Sequence, residues 1–143
     1  MMSNRKSRQQ HGFTLIELLI VMAILGMLAA IVGPSLFKQI GGSRKEAAKT
    51  QIAQIESAIA IYRLDLFKLP NSLEALVKNT SNSPKWKESY MEKGYIPKDP
   101  WGNEYQYKKP GGEGRKYDIY SFGADGQEGG EEDNADVYNL PDK

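Results

Sequence analysis

Gly12-Phe13-Thr14-Leu15-Ile16-Glu17 opens an uncharged run that extends from Leu18 to Phe37, and a basic segment carrying Arg5, Lys6 and Arg8 precedes it. The run is 20 residues long. At ~1.5 Å per residue a helix of that length covers roughly 30 Å, the thickness of a bilayer core. Hydropathy therefore predicts a membrane-spanning helix. The basic flank puts the N-terminus in the cytoplasm and everything after Phe37 across the membrane. One residue is out of keeping: Glu17 sits just inside the apolar run, where a charge at mid-bilayer costs ~2.5–3.5 kcal/mol, and less near the interface.

Three arrangements share a basic flank and an apolar run. A cleaved secretory signal has an apolar region of about 7–15 residues with a small-residue site after it. This run is longer, and no such site follows. A plain signal anchor fits the hydropathy but leaves Glu17 and the Gly12-Phe13 junction without a role. The third is a leader that is cut before the apolar run, which is then retained.

Beyond the run, about a hundred of the 143 residues remain for a soluble part, enough for one modest core. The net charge of +1 hides an asymmetry: from Phe13 onward there are 16 basic and 18 acidic residues. The remaining Lys and Arg are interleaved with Asp and Glu instead of forming a stripe, which argues against nucleic acid. The chain has no cysteine, so it has neither a disulfide framework nor a thiolate metal site. Its one histidine, His11, precedes Gly12, which excludes histidine catalysis downstream.

Gly33 and Pro34 lie late in the apolar run. The proline ring removes one backbone donor and crowds the carbonyl of Ala30, which membrane helices tolerate. Gly41-Gly42-Ser43 is a potential break, yet Ile52, Ile55, Ile59, Tyr62 and Leu66 recur at spacings of 3, 4, 3 and 4, one apolar stripe of a continuing helix. Lys45, Glu46, Lys49, Gln51, Gln54, Glu56 and Arg63 occupy its other faces. Leu69-Pro70-Asn71-Ser72 ends that helix, and Asn71 or Ser72 is placed to cap a short one over Leu73–Val77. Trp86 and Tyr90, spaced i, i+4, suggest another helical turn or two over Lys85–Met91.

Prolines at 97 and 100 followed by Gly102 make Tyr95–Gly102 rigid turn chemistry. Trp101 there reads as a packed corner more readily than as a carbohydrate or aromatic-ligand site. Glu104–Lys108 and Lys116–Ser121 alternate with period two around Pro110-Gly111-Gly112-Glu113-Gly114, the pattern of an antiparallel hairpin. An isolated hairpin is marginal, so it is expected to pack on the helix stripe. The predicted fold is α+β: a long N-terminal helix, membrane-spanning first and amphipathic later, on a small antiparallel sheet.

Phe122 to Asp136 gathers carboxylates and glycines. By composition such a run is a solvated loop. The spacing is not that of an EF-hand. Carboxylates in a Gly-rich loop can instead fold around a hard cation, with backbone carbonyls completing six to eight oxygen ligands, which suits Ca²⁺ better than Zn²⁺ or Mg²⁺. No nucleophile–base pair presents itself, so an enzyme is not expected.

The sequence His11-Gly12-Phe13-Thr14-Leu15-Ile16-Glu17 resembles the site cut by prepilin peptidases, with cleavage between Gly12 and Phe13 and N-methylation of Phe13. Together with the amphipathic helix, Asp99-Pro100-Trp101-Gly102, Tyr120–Gly126 and the acidic tail, the whole chain resembles the major pseudopilins of the type II secretion system. The resemblance implies a leader over 1–12, a transmembrane and assembly helix over 13–37, and a periplasmic head over 38–143. It also implies a loosening of the helix near a proline such as Pro34 when subunits pack. The implied protein is a homopolymer in a periplasmic filament that moves proteins across the outer membrane. Its implied partners are the prepilin peptidase/methyltransferase, the inner membrane, minor pseudopilins and the inner-membrane secretion platform. A type IV pilus pilin, or a membrane-tethered calcium-dependent binding module that does not polymerise, are the rival expectations.

The same resemblance gives Glu17 a partner. It lies one turn from Phe13, at i, i+4, and cleavage would create an α-ammonium on Phe13. Pairing with a neighbouring subunit's ammonium would set axial register, the best-attested use of a buried polar pair. The resemblance further implies a structural calcium held by the Asp125 and Asp136 carboxylates, the Phe122 and Gln127 carbonyls, and Asp133, with Asn134 as its rival. The chain departs from the family in closing with Tyr138-Asn139-Leu140-Pro141 instead of a Trp-containing end.

Overall fold

A computed structural model describes residues 12–139. The chain divides into two compact units, residues 1–37 and 38–143. One helix, α1 (Leu15–Leu66, 52 residues), contributes to both. It continues through Pro34 and through Gly41-Gly42, so the diglycine does not end it. Ser43, Thr50 and Ser57 donate their hydroxyls to the carbonyls of Gln39, Glu46 and Ala53, the i−4 bond that lets such residues sit within a helix.

In the first unit every described residue from Gly12 to Phe37 is exposed, apart from half-buried Gly33. Among the described residues α1 is the one helix long and apolar enough to cross a membrane. Its apolar surface on all sides is the surface that a membrane-spanning helix presents to lipid.

In the second unit the expected stripe is buried: Ile52, Ile55, Ile59, Tyr62 and Leu66, joined by Ala48 and Ala58. They form one core with Leu73, Ala75, Leu76, Met91, Tyr105, Ile119 and Val137. Three strands make an antiparallel sheet in the order β1 (Gln106–Lys108), β2 (Asp118–Ser121), β3 (Val137–Tyr138). Tyr107 faces Ile119 and Tyr120 faces Tyr138. The β1–β2 hairpin is the one read from alternation, trimmed by two residues at the start of each strand. β3 was not expected, because two residues after a glycine-rich acidic loop carry no alternation.

Two expected helices are corrected. Leu73–Leu76 is a 3₁₀ turn, and Ser72 at its N-cap makes no side-chain cap bond. Asn71 instead accepts from Lys109 Nζ at 2.8 Å. Lys85–Met91 is not helical. Its polar groups bond outward: Trp86 Nε1 donates to Ala75 O at 3.0 Å, and Tyr90 N to Leu76 O at 2.8 Å. The Trp86 and Tyr62 rings pack edge-on against Tyr90, with centroids 6.0 and 5.3 Å away. Tertiary aromatic packing has overridden a local i, i+4 pattern. Burial first, and the hydrogen bond to Asp65 second, push the Tyr90 hydroxyl up to about 12, so it remains a donor at physiological pH.

The hairpin connection is closed by buried Asp118, which accepts from Gly112 N at 2.7 Å and Arg115 Nε at 2.6 Å. Arg115 holds the Asp118 carboxyl below its ordinary value, with the Gly112 N–H assisting and burial opposing. A depressed folded pKa contributes stability above the unfolded carboxylate's pKa, about 3.9. That contribution is lost as pH falls through the folded value. Asp118→Asn is thus expected to lower stability at pH 7 by on the order of 1 kcal/mol, with the gap closing in acid. Thermal melts at pH 7 and pH 3 check it, and an equal gap at both would remove the charge from the account.

Candidate functional site

The N-terminal stretch is built as a capping box. Thr14 stands just before α1 and its backbone N–H donates to Glu17 Oε2 at 3.0 Å, while Glu17 N–H donates to Thr14 Oγ1 at 3.3 Å. The Thr14 hydroxyl also donates to the carboxylate at 3.2 Å. Thr-x-x-Glu is the spacing that satisfies two orphan donors of a helix start reciprocally. The Thr14-Leu15-Ile16-Glu17 spacing is visible in the sequence, and it gives Glu17 a local partner besides Phe13. Glu17 is therefore partnered within its own first turn. The carboxylate also lies at the positive end of the helix macrodipole, which favours it there.

Asp99-Pro100-Trp101-Gly102 forms the packed corner. Asp99 is buried and accepts from Trp101 N at 3.1 Å, Asn103 N at 2.8 Å and Ser121 Oγ at 2.5 Å. Trp101 packs half-buried on the core. Asn103 then donates to Gly123 O at 2.9 Å, so the corner holds the start of the acidic loop.

That loop turns back on itself around Asn134. Gly123 (φ +69°) and Gly130 (φ +90°) both lie in the left-handed region, and a Cβ on either would stand under 3 Å from the Asn134 backbone. Only glycine fits at those two positions. Ala124 N–H donates to Asp133 O at 2.9 Å, and a 3₁₀ turn over Glu132–Asn134 leads into β3. The chain end is docked by Asn139. Its N–H donates to Ile119 O, its Oδ1 accepts from Ile119 N, and its Nδ2 donates to Glu56 at 2.8 Å. Leu140 and Pro141 lie outside the described residues.

The five expected ligands are not gathered equally. Asp125 Oδ1 accepts from Gln127 N at 3.1 Å, which folds those two residues into one local turn. Asp136 Oδ2 accepts from Gly129 N at 3.0 Å and Tyr138 Oη at 3.4 Å. Burial, followed by the Asp136 charge, raises the Tyr138 hydroxyl above the ordinary phenol range. Asp133 Oδ2 accepts from Arg44 Nη1 on α1 at 3.1 Å. Phe122 packs its ring on Tyr120, centroids 5.2 Å apart, and Tyr120 stacks on Tyr138 at 5.0 Å. Among the described residues no three His, Cys, Asp or Glu side chains converge as a metal cluster. Two buried carboxylate oxygens nonetheless lack a partner: Asp133 Oδ1 and Asp136 Oδ1. A buried carboxylate oxygen left unpaired is costly. An oxygen-only donor set with such an atom has the chemistry of a hard-cation site.

The methylation-type N-terminus, the long apolar helix and the small α+β head define a pilin-like subunit. A family model described as a prokaryotic N-terminal methylation motif matches residues 7–33. Residues 35–140 match the model for type II secretion system protein G, and the chain belongs to that family, whose members are structural pseudopilins and not an enzyme family. It is 46% identical over 139 residues to the type II secretion system core protein G of Pseudomonas aeruginosa, covering 92% of this chain and 96% of that one. The core protein G of Vibrio cholerae is also 46% identical, over 142 residues, covering 94% of each chain. The crystal structure of the major pseudopilin from enterohaemorrhagic Escherichia coli superposes with a TM-score of 0.57 at 30% identity, covering 68% of this chain and 87% of that one.

Proposed function

We propose that the chain is made as a precursor, cut after Gly12 and N-methylated on Phe13. It is held in the inner membrane with its N-terminus cytoplasmic and its head periplasmic. From there it is drawn into a helical homopolymer, the periplasmic filament that helps pass folded proteins through an outer-membrane channel. The observation that carries this reading is the junction itself: a basic flank, Gly12-Phe13 and Glu17 at the head of an apolar helix that is exposed from Leu15 to Val32. A prepilin peptidase/methyltransferase, minor pseudopilins and the inner-membrane platform are its partners on this reading. Mass spectrometry of the chain purified from membranes tests it. The expected N-terminus is methylated Phe13, and a chain retaining Met1 would overturn the assignment.

We further propose that the loop from Phe122 to Asp136 holds a structural calcium. Asp125 and Asp136 would supply carboxylates, and Phe122 and Gln127 backbone carbonyls. The ion, when bound, supplies positive charge to a loop with few apolar residues of its own. The unpartnered Asp136 Oδ1 supports the reading. Asp133, the remaining expected ligand, is taken up next.

A further inference from the structure

We propose that Asp133 is a clasp that seats the acidic loop on α1 at Gly41 and Arg44, and not a ligand of the proposed cation. Both carboxylate oxygens face the helix. Oδ2 accepts from Arg44 Nη1 at 3.1 Å. A Cβ built on Gly41 would stand 3.2 Å from Oδ1, tighter than an ordinary van der Waals contact, so the bare glycine backbone is what lets the carboxylate sit there. Gly41 and Arg44 are spaced i, i+3 and share one helix face. Oδ1 is buried against the bare Gly41 backbone, so the whole carboxylate is turned to the helix face.

This also gives the diglycine a reason. A glycine inside a helix is unfavourable relative to alanine, and α1 carries two in succession. Gly42 has nothing within 4 Å of the position a Cβ would take, whereas Gly41 has Asp133. Gly41 leaves room for the carboxylate to approach the helix, and Arg44 one turn on fixes it. The main chain of the same residue holds the loop: Asp133 O accepts from Ala124 N at 2.9 Å, and the next residue, Asn134, is the one around which Gly123 and Gly130 close. Asp133 thus ties the loop inwardly through its backbone and to the helix through its side chain.

The ion pair is partly solvated, with side-chain exposures of 45% for Arg44 and 37% for Asp133. Its removal is therefore expected to open the loop about two- to five-fold, the range of exposed pairs, and not to unfold the head. The test is hydrogen exchange at the Ala124 and Asn134 amides of the full chain in detergent, for Arg44→Gln, Asp133→Asn and the double variant. Each single change is expected to raise exchange by that factor, with the double no worse than either, the non-additivity of a direct pair. Gly41→Ala is expected to raise it also, and Gly42→Ala to leave it unchanged.

That Asp133 is no ligand rests on the calcium reading, so calcium binding by titration calorimetry is measured on the same proteins. Asp133→Asn is expected to retain binding within about the same two- to five-fold factor, while Asp125→Ala loses it. Loss of binding in Asp133→Asn equal to that in Asp125→Ala would overturn the proposal. So would unchanged exchange in Arg44→Gln, or equal effects of Gly41→Ala and Gly42→Ala. A wild-type chain that binds no calcium would remove the cation reading alone, and the exchange measurements would still decide the clasp.

Discussion

Glu17→Ala is expected to be cleaved, methylated and inserted in the membrane like the parent chain, and to yield no filaments. In the precursor the carboxylate is satisfied by the Thr14 N–H and hydroxyl, so insertion does not depend on a partner subunit. The proposed cleavage after Gly12 would add a second candidate, the α-ammonium of Phe13, one turn away. A neighbouring subunit's ammonium can compete for the carboxylate only when subunits stand at the stagger that brings the two together. Alanine also removes the carboxylate half of the capping box, so a failure of Glu17→Ala by itself is ambiguous. Glu17→Gln separates the two. Glutamine keeps the reciprocal capping geometry and abolishes the charge. Both variants are expected to be processed normally on mass spectrometry and to lack filaments by electron microscopy after overexpression. Filaments from Glu17→Gln at parental length and number would show that the cap matters and the ion pair does not. Filaments from both would remove the register argument altogether.

Most of the helix was legible because two different signals lie along it. An all-round apolar run covers Leu18–Phe37, and a 3,4 stripe covers Ile52–Leu66. The helix continues through both Pro34 and the diglycine. The hairpin was legible because Tyr107 and Ile119 alternate with polar neighbours. Lys85–Met91 misled because Trp86 and Tyr90, although spaced like a helix face, spend their hydrogen bonds on the 3₁₀ turn at Leu73–Leu76. The two residues of β3 follow a loop whose glycines and acids mask any strand signal, and they are placed by Asn139, whose three bonds to Ile119 and Glu56 are tertiary. At the N-terminus the Thr14–Glu17 spacing was visible in the sequence. Its local meaning was hidden by the more conspicuous expense of a charge in an apolar segment. In the loop the positions of the acids were legible, but not their division of labour, because Arg44 lies 89 residues from Asp133 in the chain.

Calcium removal is expected to destabilise the head substantially, and Asp125→Ala to do so without a chelator. The folded loop presents carboxylates with one buried oxygen unpaired on Asp136, and the unfolded chain returns that group to water. An ion that binds only the folded form stabilises it by mass action: about 2.7 kcal/mol when free calcium stands at a hundred times Kd. For a domain of about 100 residues that is a fall in Tm on the order of 10 °C on adding EGTA. Asp125→Ala should give a similar fall, and EGTA should then add nothing, because the site is already lost. Arg44→Gln, by contrast, should leave most of the EGTA effect in place, since it loosens the loop's seat on α1 without removing a proposed ligand. Limited proteolysis between Gly126 and Glu131 should follow the same order, with the chelated parent and Asp125→Ala cut fastest. An unchanged Tm and unchanged cutting on EGTA treatment, with Asp125→Ala as stable as the parent, would mean that the loop is held by its own bonds: Ala124 to Asp133, Asn103 to Gly123, and the Arg44 pair.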